Sequence, residues 1–197
     1  MVSRATVLSG ATYADLAALP DHLVGEIVGG RLIASPRPAP VHSRTSSALG
    51  WLLGPPFFLG RGGPGGWWIL DEPELHLGPD VLVPDLAGWR LERMPALPET
   101  AYLEMSPDWV CEVLSPRTER FDRSEKLAVY QREKVAHVWL LSTGVRTLEV
   151  LRLAPGGFLL VAVHAAPALV RIEPFDAVEL DLGLLFSSPK TVEADPE

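Results

Sequence analysis

The stretch Asp108-Trp109-Val110-Cys111-Glu112-Val113-Leu114 constrains the chain more than any other. From Trp109 to Leu114 every side chain is apolar except Glu112. A short apolar run set between Pro107 and Pro116 has the form of a strand covered on both faces, so the fold must supply a layer on each side of it. Glutamate is depleted in strands and almost never fully buried without a partner. A buried carboxylate costs several kcal/mol unless a cation, a metal or hydrogen bonds compensate it. Whatever surrounds this strand has to balance Glu112.

A second acid interrupts an apolar run in the same way. In Val81-Leu82-Val83-Pro84-Asp85-Leu86-Ala87 the aspartate follows a proline among aliphatics, within a strand expected over 81–90. Asp85 lies 27 residues before Glu112 with a loop between, a spacing that lets neighbouring strands bring both carboxylates to one sheet edge. Two adjacent carboxylates repel unless protonated or bridged by a cation, and such hard oxygens suit magnesium. Downstream, Asp122, Lys126 and Tyr130 recur at i, i+4 and i+8 of a helical pattern over 120–134, so they share one face. One account is an ordinary helix ion pair between Asp122 and Lys126, contributing about 0.2–0.5 kcal/mol, beside a packing tyrosine. The other turns Lys126 toward the two acids, where it neutralises charge, orients a water and stabilises a transition state.

The remaining chain reads as strand-rich with a few helices. Thr12 caps a short helix that Pro20 ends, and Gly29-Gly30 joins strands over 22–27 and 31–34 as a two-residue hairpin, with Glu26 in its first strand. A helix is expected over 41–53, with His42 at its start, and strands over 67–70, 74–77 and 137–142. A hairpin follows over 146–153 and 158–163, with one more short strand over 169–172. The Gly-rich segment 60–66 lacks the spacing of a phosphate loop. With one helix clearly flanked by strands, an α+β or mixed α/β sheet is expected. The 197 residues suit a single domain, with a loose acidic tail from about residue 188.

Composition narrows the classes further. The single cysteine, Cys111, excludes a disulfide framework and a multi-cysteine metal knuckle, and its apolar strand marks it as a core residue. The histidines have no zinc-ligand spacing, and no nucleophile elbow is present. No signal pattern or membrane-length apolar run occurs, so a soluble cytoplasmic protein is expected. The net charge of -8 argues against avid non-specific nucleic-acid binding, although the segment 117–134 holds six basic and four acidic residues.

The runs Pro84-Asp85, Pro107-Asp108-Trp109-Val110-Cys111-Glu112-Val113-Leu114-Ser115-Pro116, Asp122-Arg123-Ser124-Glu125-Lys126 with Tyr130, and Val135-Ala136-His137-Val138-Trp139-Leu140 together resemble the Uma-two family. So do the early hairpin from Gly25 to Leu32, the segment Ser35-Pro36 and His42. The likeness covers about 13–153. The family is placed among restriction endonucleases of the PD-(D/E)xK nuclease superfamily. The resemblance implies a restriction-endonuclease-like core: a mixed central β-sheet flanked by helices, with an N-terminal hairpin. It implies a metal-dependent endonuclease acting on DNA, with Mg2+ or Mn2+ held by Asp85 and Glu112.

The superfamily's lysine stands two residues after the acid. Leu114 occupies that position here, and the resemblance assigns the role to Lys126 on the next helix. Glu26, His42, Asp122 and Tyr130 are implied as supporting residues. Cutting both strands of a duplex is most simply done by a homodimer. Two departures from the family pattern are Ser142-Thr143, where an acid is common, and His137, where a tyrosine is common. The competing expectation is a non-catalytic module that binds nucleic acid or protein on the same fold. Against it stands the expectation that two carboxylates without partners persist only where they are used.

Overall fold

The computed structural model describes residues 6–188. The acidic tail after Pro189 lies outside these. The chain builds two main sheets. The smaller has five strands in the order β1-β3-β2-β6-β5, formed by β1 (Thr6–Ser9), β2 (Leu23–Val28), β3 (Arg31–Pro36), β5 (Leu75–Leu77) and β6 (Asp80–Leu82). After the short helix α1 (Tyr13–Ala17), Gly29 and Gly30 turn the β2–β3 hairpin at φ 58° and 71°, a left-handed pair open to glycine at no steric cost.

The larger sheet has six strands in the order β11-β10-β9-β8-β7-β4. They are β4 (Trp67–Asp71), β7 (Leu86–Arg90), β8 (Trp109–Leu114), β9 (His137–Ser142), β10 (Thr147–Ala154) and β11 (Gly157–Ala165). Only β8 and β9 pair in parallel, with Glu112 opposite Leu140. Their connection is the helical segment α3 (Glu119–Phe121), a π-helical turn (Asp122–Lys126) and α4 (Leu127–Arg132). The sheet is therefore mixed, as expected. Beyond it, the short strands β12 (Leu169–Val170) and β13 (Leu180–Asp181) pair with each other.

β8 is buried along its whole length. Its alternation assigns the layers. Trp109, Cys111 and Val113 face a core shared with Trp139, Phe175 and the helix α2 (Pro40–Leu53), which contributes Ala48, Leu49 and Leu53. Val110 and Leu114 face the opposite core, with Leu75, Leu77 and Leu82 of the small sheet and Val129 and Tyr130 of α4. Glu112 lies between Val110 and Leu114 in this period of two, so its side chain enters the seam between the sheets and α4.

One expectation needs correction. The segment 81–90 is not one strand. β6 ends at Leu82 in the small sheet, and β7 begins at Leu86 in the large one. Pro84 and Asp85 make the crossing between sheets. A proline cannot donate to a ladder, and both sheets lose their ladder here. The apolar character that suggested a single strand comes from residues buried in two different sheets.

Candidate active site

Lys126 is the centre of the seam. Its side chain is only 4% exposed, and its Nζ lies 2.8 Å from Glu112 Oε1, 3.0 Å from Glu26 Oε1 and 3.8 Å from Asp122. The π-helical turn places Asp122 and Lys126 on the face that continues into Tyr130, and all three are buried. Tyr130 donates its hydroxyl hydrogen to Glu112 Oε1 at 2.5 Å. Glu26 comes from β2 of the other sheet and also accepts the amide of Val83 at 2.9 Å. The lysine thus joins the two sheets through one carboxylate from each.

Asp85 stands at the crossing with both oxygens engaged. Oδ2 accepts the Val113 amide at 2.7 Å, and Oδ1 meets His42 Nε2 at 2.5 Å. The Val113 amide follows Glu112 directly, so Asp85 is tied to the strand that carries the second acid. His42, in the first turn of α2, brings the third element to the same place. Both acids have protein partners, Glu112 in Lys126 and Tyr130, and Asp85 in His42 and an amide, so they are not unpaired carboxylates and do not speak against a non-catalytic module. All of these groups except Tyr130 line a cleft of about 630 Å³ between the sheets, and Arg37, Glu72 and Arg117 stand at its edges.

Charge does not balance in this seam. One ammonium faces three carboxylates. Burial pushes the Glu112 carboxyl well above its ordinary range against the pull of Lys126, with Asp122, Asp85 and Glu26 adding to the rise. Asp122 is raised to about 6 by burial, despite Lys126. Burial acts to lower the Lys126 pKa, but Glu112 and Glu26 outweigh it and carry the pKa well above the usual value. Lys126 therefore stays charged, while burial favours the protonated forms of Glu112 and Asp122. For His42, burial is likewise outweighed by the bond to Asp85, and its pKa is raised. Burial raises the Cys111 thiol, which stays neutral in the core on the far face.

The residues 12–183 match the profile of the family Uma2, described as "Putative restriction endonuclease". The chain belongs to the Uma2 family. Its fold is similar to that of a crystal structure from Anabaena variabilis ATCC 29413, described as "a putative nuclease belonging to DUF820". The TM-score is 0.68 at 22% identity, over 89% of this chain and 97% of that one. No curated protein matches.

Among the described residues of this Uma2 chain, no three or more histidine, cysteine or acidic side chains form a metal-ligating group. Magnesium does not require one, because it binds through one or two carboxylates and keeps several waters. Asp85 and Glu112 line a common cleft with hard oxygens, and a cation there would displace the protons that burial favours on Glu112 and Asp122. The donor set fits such an ion.

Every site residue expected from sequence lies in or against this seam. The sequence did not point to Val83 and Val113, whose backbone amides fix Glu26 and Asp85, because backbone donors leave no residue-type signal. Nor did it point to Arg37, which resembles any other loop arginine, and it marked Arg117 only as the start of the basic segment 117–134. Thr143, in the first of the two departures, reaches the cleft edge, whereas His137 lies elsewhere, 3.7 Å from Glu173.

Proposed function

We propose that this Uma2 protein is a divalent-metal-dependent endonuclease that hydrolyses DNA phosphodiester bonds. The observation that carries this reading is the Glu26–Lys126–Glu112 cluster, one ammonium held between carboxyl groups of both sheets, opening with Asp85 onto one cleft. Asp85 and Glu112 would hold Mg2+ or Mn2+, which supplies phosphate polarisation and a water of lowered pKa when bound. The chain's own groups do the positioning. Tyr130 Oη and Lys126 Nζ hold Glu112 Oε1, while the Val113 amide and His42 Nε2 fix the two oxygens of Asp85. Lys126 keeps its proton and offers positive charge to the oxygens of the pentavalent phosphate. Arg37 and Arg117 at the cleft edges meet the flanking backbone. Two copies acting together would cut both strands of a duplex.

The test is cleavage of plasmid and of a panel of DNA and RNA strands with magnesium or manganese. Wild-type protein is expected to cut, and Glu112→Gln to lose the activity while remaining folded. Equal cleavage by both removes this reading. The second reading, a module that binds without turnover, is favoured by the protein partners that Asp85 and Glu112 already have. Tight nucleic-acid binding with no cleavage by wild type under any metal would select it. Light scattering of the purified protein reads the dimer directly.

A further inference from the structure

Two smaller cavities continue from the cleft along α2. The first, about 230 Å³, shares His42, Glu72 and Asp85 with the cleft. It shares Ser47 and Asp71 with the second, about 200 Å³, which opens between Trp51 and Phe58. Trp51 is 70% exposed and Phe58 is 48% exposed, unusual for rings of this size on a protein whose other tryptophans are largely packed away. They stand seven residues apart, where α2 runs into a π-helical turn (Gly54–Phe58), and both line this second cavity. Phe58 is backed by Trp68, with ring centroids 5.7 Å apart. Gly54 lies between the two aromatic positions, and a Cβ there would meet nothing within 4 Å. The result is a slot lined by two aromatic side chains, with Ser47 and Asp71 as its polar groups.

No arginine or lysine lines either small cavity, while Asp71, Glu72 and Asp85 do. A phosphate backbone gains little there. A base does gain, because every base has a π-face and stacking on aromatic side chains needs no cation. In a duplex those faces are covered by neighbouring pairs, whereas a single strand exposes them. A carboxylate at the slot edge accepts from an exocyclic amino group, which cytosine has and thymine lacks.

We infer that the Trp51–Phe58 slot is a nucleobase-binding subsite that holds one base of a single-stranded segment whose backbone passes the Glu112–Lys126 site, with Asp71 favouring a base that carries an exocyclic amino group. This rests on the nuclease reading for the direction of the strand. It requires that a duplex be unwound where a base enters the slot before either copy cuts it, so a strand that is already single binds more readily.

The experiment measures binding apart from cleavage. Fluorescence anisotropy is recorded for labelled oligo-dC, oligo-dT and a duplex, using full-length Glu112→Gln protein with magnesium. Oligo-dC is expected to bind more tightly than oligo-dT and than duplex. Adding Trp51→Ala is expected to weaken oligo-dC binding by about 5- to 150-fold, the range for loss of one stacked base. Adding Asp71→Ala, which removes the acceptor, should level oligo-dC with oligo-dT. Trp51 is exposed, so its variant folds, and circular dichroism checks this. Unchanged oligo-dC affinity in Trp51→Ala overturns the inference, as does failure of every strand to bind. A change of oligomeric state in Trp51→Ala, with affinity intact, overturns it in favour of a surface for a second copy. Loss of the nuclease reading is a different result, seen as absent cleavage by wild type, and it leaves the dC, dT and Trp51 comparison readable.

Discussion

Lys126 meets Glu112 at 2.8 Å from a separate helical segment, not from the strand that carries the acid. Leu114, two residues beyond Glu112, is on the same face of β8 and is buried in the core against α4 and the small sheet. A lysine at that position would have to bury its stem among those aliphatics. The π-helical turn provides the charge from across the seam instead, and the same ammonium then also reaches Glu26 of the other sheet at 3.0 Å. Charge and sheet packing are therefore coupled at one atom.

That coupling sets the first prediction. Asp122 has its pKa raised from 3.8 to about 6. Between those values the folded protein holds a proton that the unfolded chain has released, so stability falls as pH rises through this window and the cost is complete above it. The cost is about 3 kcal/mol at most. Asp122→Asn cannot ionise, and Lys126 still has Glu112 and Glu26. The variant is expected to be more stable than wild type near neutral pH, by about 1–3 kcal/mol, and to lose the advantage near pH ~4. Urea unfolding across pH reads this. A variant less stable at every pH would show that Lys126 needs all three acids.

The shared carboxylate surplus gives the second. Magnesium is expected to raise the melting temperature, and to raise it more above pH ~7 than near pH ~5, because protons and metal compete for Glu112 and an ionised Asp122 beside it favours the metal. Calorimetry in buffers of different ionisation heat should register proton release on binding. A metal effect independent of pH would place the ion away from these acids.

Tyr130 supplies the third. Tyr130→Phe removes one donor from Glu112 Oε1 and leaves the acceptor in a buried place. A loss of about 1–3 kcal/mol in stability is expected. Metal-dependent activity should fall by about 10- to 100-fold, as for other partners that orient a ligand. The metal concentration for half-maximal activity should rise with it, which a purely structural loss would not produce.

His42 supplies the fourth. Its bond to Asp85 outweighs the effect of burial and raises its pKa. In Asp85→Asn the burial effect remains while the charge is gone, so the imidazole should titrate below the value in wild type. Proton NMR of the ring carbons follows this, and an unmoved titration would mean that Asp85 and His42 do not pair in solution.

Much of the site was legible because buried charge is conspicuous in sequence. Glu112 and Asp85 stood out as acids within apolar runs, and the spacing of Asp122, Lys126 and Tyr130 placed them on one face. The break at Pro84 was not legible. Leu82 and Leu86 are both fully buried, yet in different sheets, and hydrophobicity reports burial without saying which sheet does the burying.

The sequence by itself determined that β8 is buried on both faces, that Glu112 needs compensation, and that a helix face carries a lysine able to give it. Those follow from local period and from the cost of an unpaired charge. Tertiary structure alone decided that Lys126 serves Glu26 as well as Glu112, that His42 and the Val113 amide hold Asp85, and that the slot at Trp51 continues from the cleft. Each of these depends on how two sheets and α2 meet in space, a relation between distant segments that no local pattern of residues records.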